Sequence, residues 1–131
     1  MCRTRRFLVP TKPSFSSYLA LYTLPISTVS AVAPANYWKT FSHIFQECSK
    51  ERALDPGMQS HARMLTTGFK PSIFVSNCLI QMYVRCSYLD YANKVFDNMS
   101  QRDTVSWNTM IFAYCSTDIA MAQSFFGLMP E

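Results

Sequence analysis

Glycine is nearly missing from this chain, with three in 131 residues, and the prolines gather early. That shortage takes away the residue on which tight, left-handed turns depend and points to helices in the second half. Acidic side chains are missing from residues 1–46, which carry Arg3, Arg5, Arg6, Lys12 and Lys39. The remaining residues hold seven basic and eight acidic groups, so the net charge of +4 is entirely N-terminal. A near-neutral body excludes tight binding to phosphate through charge alone. No stretch of about 20 residues stays apolar, which excludes a membrane-spanning helix. The five cysteines (Cys2, Cys48, Cys78, Cys86, Cys115) are odd in number and form no Cys-x-x-Cys pair. They make neither a small disulfide framework nor a zinc site, since Cys48 and His61 are two isolated ligand types where four are needed. Buried free thiols in a reducing compartment are the expectation.

What the chain does have is self-similarity. Val75-Ser76-Asn77 recurs as Ser106-Trp107-Asn108, Leu79-Ile80 as Met110-Ile111, and Tyr83 as Tyr114. Ala92, Phe96 and Met99 return as Ala122, Phe126 and Met129. A period near 30 means stacked supersecondary units rather than one closed core. Apolar residues at 49% suffice for packing and are too many for a disordered chain.

Within the units the apolar spacing is helical. Leu89, Ala92, Phe96 and Met99 form one stripe, and Ile119, Ala122, Phe126 and Met129 repeat it at steps of three, four and three. A looser upstream unit places Phe41, Phe45 and Cys48 on one helix face and Leu54, Met58, Ala62 and Leu65 on the next. Asp55-Pro56 marks a helix start, Gly68 with Pro71 a stop, and Asp118 an N-cap. The last unit has one residue fewer between Tyr114 and Ala122 than its neighbour has between Tyr83 and Ala92, which puts the register of its second helix in question. The aromatic residues Tyr83, Phe96, Trp107 and Tyr114 are expected in the core.

The first 37 residues read differently. Rich in Arg, Ser and Thr, free of acid and carrying Pro10, Pro13, Pro25 and Pro34, they have the composition of an organelle transit peptide. A secretory signal is the competing reading, with Ala31-Val32-Ala33 as its cleavage site, but Pro25, Ser27, Thr28 and Ser30 interrupt the apolar run. The expected organisation is a disordered leader over 1–37 and helical hairpins over 38–72, 73–103 and 104–131. The fold class is all-α, a right-handed solenoid of stacked hairpins. An open array of this kind needs several units and caps, so the chain reads as the front of a longer protein or a truncated one.

FVSNCLIQMYVRC, VSWNTMI and KVFDNM resemble pentatricopeptide repeats of the plant organelle type. The sequence over 38–72 is similar to the long repeat variant and that over 73–103 to the short one, an alternation of long, standard and short units. A tetratricopeptide pattern is absent. The resemblance implies binding of organellar single-stranded RNA, one base per repeat, with two side chains of each unit meeting the edge of an unstacked base. The family's selecting pair maps to Asn77 with Asp103, a combination linked to uracil first and cytosine second. Asn108 occupies the same column in the last unit, Ser42 with Ser72 forms a weak pair in the first, and Phe74 and Val105 resemble the apolar residues that flank a base. The early Arg3, Arg5 and Arg6 lean to a mitochondrial location, with the chloroplast as alternative, and the resemblance further implies a part in RNA editing or processing as address rather than chemistry, with editing-complex proteins as further partners. No catalytic residue, cofactor, metal, small-molecule substrate or stable membrane insertion is expected. A protein-interaction scaffold, or a truncated product without autonomous function, is the alternative.

Overall fold

The computed structural model describes residues 37–130. The leader expected over 1–37 lies outside them, apart from Tyr37, where the first helix begins. Among the described residues there are six helices and no strand: α1 (Tyr37–Glu51), α2 (Leu54–Thr66), α3 (Ile73–Arg85), α4 (Leu89–Asn98), α5 (Thr104–Cys115) and α6 (Ile119–Leu128). They pair as hairpins, α1 with α2, α3 with α4 and α5 with α6. The first helices pack in sequence, α3 against both α1 and α5, while each second helix rests chiefly on first helices. This is an all-α helical-repeat solenoid.

The turns explain how so few glycines suffice. Arg52 (φ 51°) and Ser87 (φ 67°) take up the left-handed conformation that usually falls to glycine. Each closes a Schellman motif, in which Ala53 N–H donates to the Cys48 carbonyl and Tyr88 N–H to the Tyr83 carbonyl, both at 2.9 Å. The third hairpin does without a left-handed residue. Its helix α5 ends one residue after Tyr114, whereas α3 ends two after Tyr83, and three residues then lead to the next helix in both cases. The missing residue therefore comes from the end of the first helix, and α6 keeps its register, with Ala122 buried as Ala92 is. Asp118 caps α6 by accepting from Met121 N–H at 3.2 Å.

The core runs along the first helices. Phe41, Phe45 and Cys48 of α1, Val75, Leu79, Ile80, Met82 and Tyr83 of α3, and Met110, Ala113 and Tyr114 of α5 are all buried. Two tyrosines join neighbouring hairpins in the same way: Tyr83 bonds to His61 of α2, and Tyr114 accepts from Asn93 of α4. Phe96, Trp107 and Phe125 meet edge to face, which packs α4, α5 and α6 together. Trp107 is only half-buried, less enclosed than its spacing predicts.

Other side chains depart further from the sequence pattern. On α2 the inward face is Gly57, Ser60 and Met64, not the Met58–Ala62–Leu65 stripe, and Leu65 is exposed. The reason is steric: a Cβ on Gly57 would lie 2.6 Å from Met82 Sδ, so the absent side chain is what lets α2 approach α3. On α6, Phe126 and Ile119 are exposed, although they repeat Phe96 and Leu89. Phe96 is covered by Trp107 and Phe125 of the next hairpin, and no described residue covers Phe126. Among the four described cysteines, all free, Cys48 and Cys78 are buried as expected, but Cys115 is exposed.

Candidate nucleic-acid interface

Each first helix begins with the same short segment. Phe74 and Val105 stand second in α3 and α5, and Asn77 and Asn108 stand fifth. Because 2 to 5 is three residues, each apolar residue and its asparagine share a helix face. Phe74 and Val105 are about half exposed, at 53% and 56%. Large apolar groups left in water at equivalent places on packed helices form an apolar ladder.

The residues that end the units are helix caps. Ser72 accepts from Val75 N–H at 3.3 Å and caps α3. Asp103 caps α5, accepting from Ser106 N–H at 2.9 Å, while Ser106 Oγ accepts from Asp103 N–H in a reciprocal capping box. The cap also faces the previous hairpin. Asn77 Nδ2 donates to Asp103 Oδ1 at 3.0 Å across 26 residues of sequence. These bonds, first that from the Ser106 backbone and then that from Asn77, hold the Asp103 carboxyl below its usual pKa.

The structure therefore brings Asn77 and Asp103 together. No hydrogen bond joins Ser42 to Ser72. Ser42 is buried and donates back to the Lys39 carbonyl at 3.1 Å, and Ser72 is occupied with its cap. Each serves its own helix. Asn108 is exposed, with no described residue over it in the place that Asp103 holds over Asn77.

Sequence reasoning passes over three further residues. Ser106 is fully buried and touches both Asn77 and Asp103. Arg85 and Phe112 line a shallow cavity of about 350 Å³ with Gln81, Val84, Val105 and Asn108, one helical turn and more below the asparagines. Phe112 is 79% exposed, and an i, i+4 step from Asn108 was the only signal for it. A larger cavity of about 820 Å³ opens between α2 and α4, lined by Met58, Leu65, Tyr91, Lys94 and Val95, and contains none of the expected base-contacting residues. Among the described residues no cluster of His, Cys, Asp and Glu could hold a metal, and no helix is long and apolar enough to cross a membrane.

Hairpins stacked through their first helices, with a repeated apolar residue and asparagine along one edge, define a helical-repeat protein of the solenoid class. Comparison with known families makes this specific: the PPR repeat family model matches residues 74–103 and 105–131. The chain carries pentatricopeptide repeats. It is 42% identical over 110 residues, 84% of its length, to a mitochondrial pentatricopeptide repeat-containing protein of Arabidopsis thaliana. A second mitochondrial protein of that name is 40% identical over 67% of the chain, and a chloroplastic one is 35% identical over 68%. The chain spans about a tenth of the length of these relatives, 11%, 10% and 11% respectively.

Proposed function

We propose that this chain binds single-stranded RNA in an organelle and selects one base through Asn77 and Asp103. The observation that carries the reading is the 3.0 Å bond between these two side chains, which joins the fifth residue of one first helix to the cap of the next. An asparagine amide offers donors and an acceptor, matching the mixed edge of uracil. The free oxygen of the Asp103 carboxylate accepts directly or through water. Phe74 and Val105 supply apolar faces on either side, and helices packed about 8–10 Å apart leave room for one flat base between such side chains. The carboxylate beside the base disfavours phosphate there, so the contact is with the base edge.

In this reading Asn108 is a second base contact and Ser42 with Ser72 a weak one. The unit over 38–72 is of the long type, that over 73–103 of the short type, and residues 1–37 are an import leader. The mitochondrion is the proposed compartment, in line with the names of two relatives, and the chloroplastic relative keeps the plastid as alternative. The proposed role is address rather than chemistry in RNA editing or processing.

The test is titration of the chain with fluorescent oligouridylate and oligoadenylate at low and physiological salt. A uridine preference that Asn77→Ala removes, leaving weaker unselective binding, supports the reading; equal binding to both, indifferent to Asn77→Ala, sinks it. One observation favours a second reading. The cavity between α2 and α4 leaves Leu65 and Tyr91 exposed, which suits a protein partner. Capture of a partner by the folded chain, lost on Leu65→Glu and untouched by Asn77→Ala, would favour that scaffold role.

A further inference from the structure

Asn77 is buried to within 8% of full enclosure, and burial of an amide is costly unless its bonds are satisfied. Its partners are unequal. The Asp103 carboxylate can only accept, so it takes an N–H from Asn77 Nδ2. The amide oxygen is thereby turned towards Ser106, whose Oγ lies 2.6 Å from Asn77 Oδ1 and 2.8 Å from Asp103 Oδ1. Both are acceptors and the hydroxyl has one proton. Asp103 Oδ1 already receives the Asn77 and Ser106 N–H groups, whereas Asn77 Oδ1 has no other recorded donor. The proton therefore goes to Asn77.

We infer that Ser106, the third residue of α5, is a positioning residue for base selection: its hydroxyl locks the Asn77 amide in the orientation that Asp103 begins to set. The inference rests on the proposed base contact of Asn77. With one N–H held by Asp103 and one lone pair held by Ser106, one N–H and one lone pair remain for a base. A rotation of the amide by 180° would break the serine bond and set two oxygens against each other at Asp103. Ser106 belongs to the following hairpin, so the Asn77 contact is completed only when that unit is in place.

The test is a double-mutant cycle on the full chain, read by titration with oligouridylate and oligoadenylate. Ser106→Ala is expected to lower uridine affinity about five-fold, the worth of one buried hydrogen bond, and to reduce the uridine-over-adenine ratio. In the Asn77→Ala background the same change should cost nothing, because the serine acts through the asparagine. A purely structural serine would cost the same in both backgrounds, and that result overturns the inference. Ser106→Cys, nearly the same shape with a poor donor, should behave like Ser106→Ala, which covers failure of the alanine variant to fold. Uridine binding that needs Asn77 but is unchanged in Ser106→Cys overturns the role of Ser106 alone. Uridine binding indifferent to Asn77→Ala overturns the base contact and the serine's role with it.

Discussion

The Tyr83 hydroxyl lies 2.8 Å from Nδ1 of His61, tying the first helix of one hairpin to the second helix of the hairpin before it. Burial pushes the Tyr83 hydroxyl up to about 12, so it stays protonated, and burial lowers the His61 pKa, so the imidazole stays neutral. Lys70 and Lys94 line the same cavity and add nothing that would favour a histidine cation.

A pH dependence follows. The folded state holds His61 neutral below the pH at which the unfolded chain protonates it. Its contribution is present above about 6.5, the ordinary histidine value, and declines as pH falls below that. The melting temperature should drop between pH 7.5 and pH 5, and His61→Gln should flatten that step. A His61→Gln profile as steep as the original would refute the assignment.

Asp103→Ala should cost about 1–2 kcal/mol in chemical denaturation, because it removes the α5 cap and strands the buried Asn77 amide. Asp103→Asn keeps a capping oxygen and should cost less. The Asp103 carboxyl lies below its usual value, so its contribution is complete above about 3.8 and fades as pH falls through the folded pKa. Acid unfolding of Asp103→Asn should accordingly begin from a lower baseline and fall less steeply at the acid end.

Gly57→Ala sets two effects against each other. Alanine favours a helix by about 1 kcal/mol over glycine, but its Cβ would sit 2.6 Å from Sδ and 2.7 Å from Cε of fully buried Met82. Overpacking of that kind costs about 1–3 kcal/mol, so a net loss of about 1 kcal/mol is expected. In a Met82→Ala background the clash is gone and the sign should reverse. Denaturant midpoints of the four proteins decide it.

Phe96 and Phe126 are the same residue in consecutive hairpins with opposite fates, one 3% and the other 71% exposed. Phe96→Ala should cost about 3–5 kcal/mol and Phe126→Ala less than about 0.5. Equal losses in thermal melts would mean that the α6 face is covered in solution.

Ser87→Gly should stabilise the chain by about 0.5–1 kcal/mol, since serine at φ 67° bears a strain that glycine does not. A lower denaturation midpoint in this variant would contradict the Schellman geometry.

These cases show what the sequence makes legible. The inward row of α3, Leu79, Ile80 and Tyr83, is plain from helical spacing because its burial depends on period alone. The pairing of Asn77 with Asp103 is accessible only through a family resemblance, since 26 residues separate them and no local rule joins them. The face of α2 is misread because its true inward residues include Gly57 and Ser60, small groups that carry no hydrophobic signal yet set how closely helices approach. Ser106 is hidden for a similar reason. A serine three residues after an aspartate reads as a capping partner, and its second bond, to another hairpin, leaves no trace in spacing.

The dual use of the unit's last residue has a consequence for how such arrays change over time. Ser72 and Asp103 both start a helix, whatever else they do. If that column also selects a base, its alphabet is limited in advance to the short side chains that start helices well: aspartate, asparagine, serine and threonine. A bulky or aliphatic residue there would fail as a cap before it could be tried on RNA. Vocabulary at this position is filtered by folding first and by recognition second, so new target sequences are reached by small steps among four neighbours rather than by free substitution.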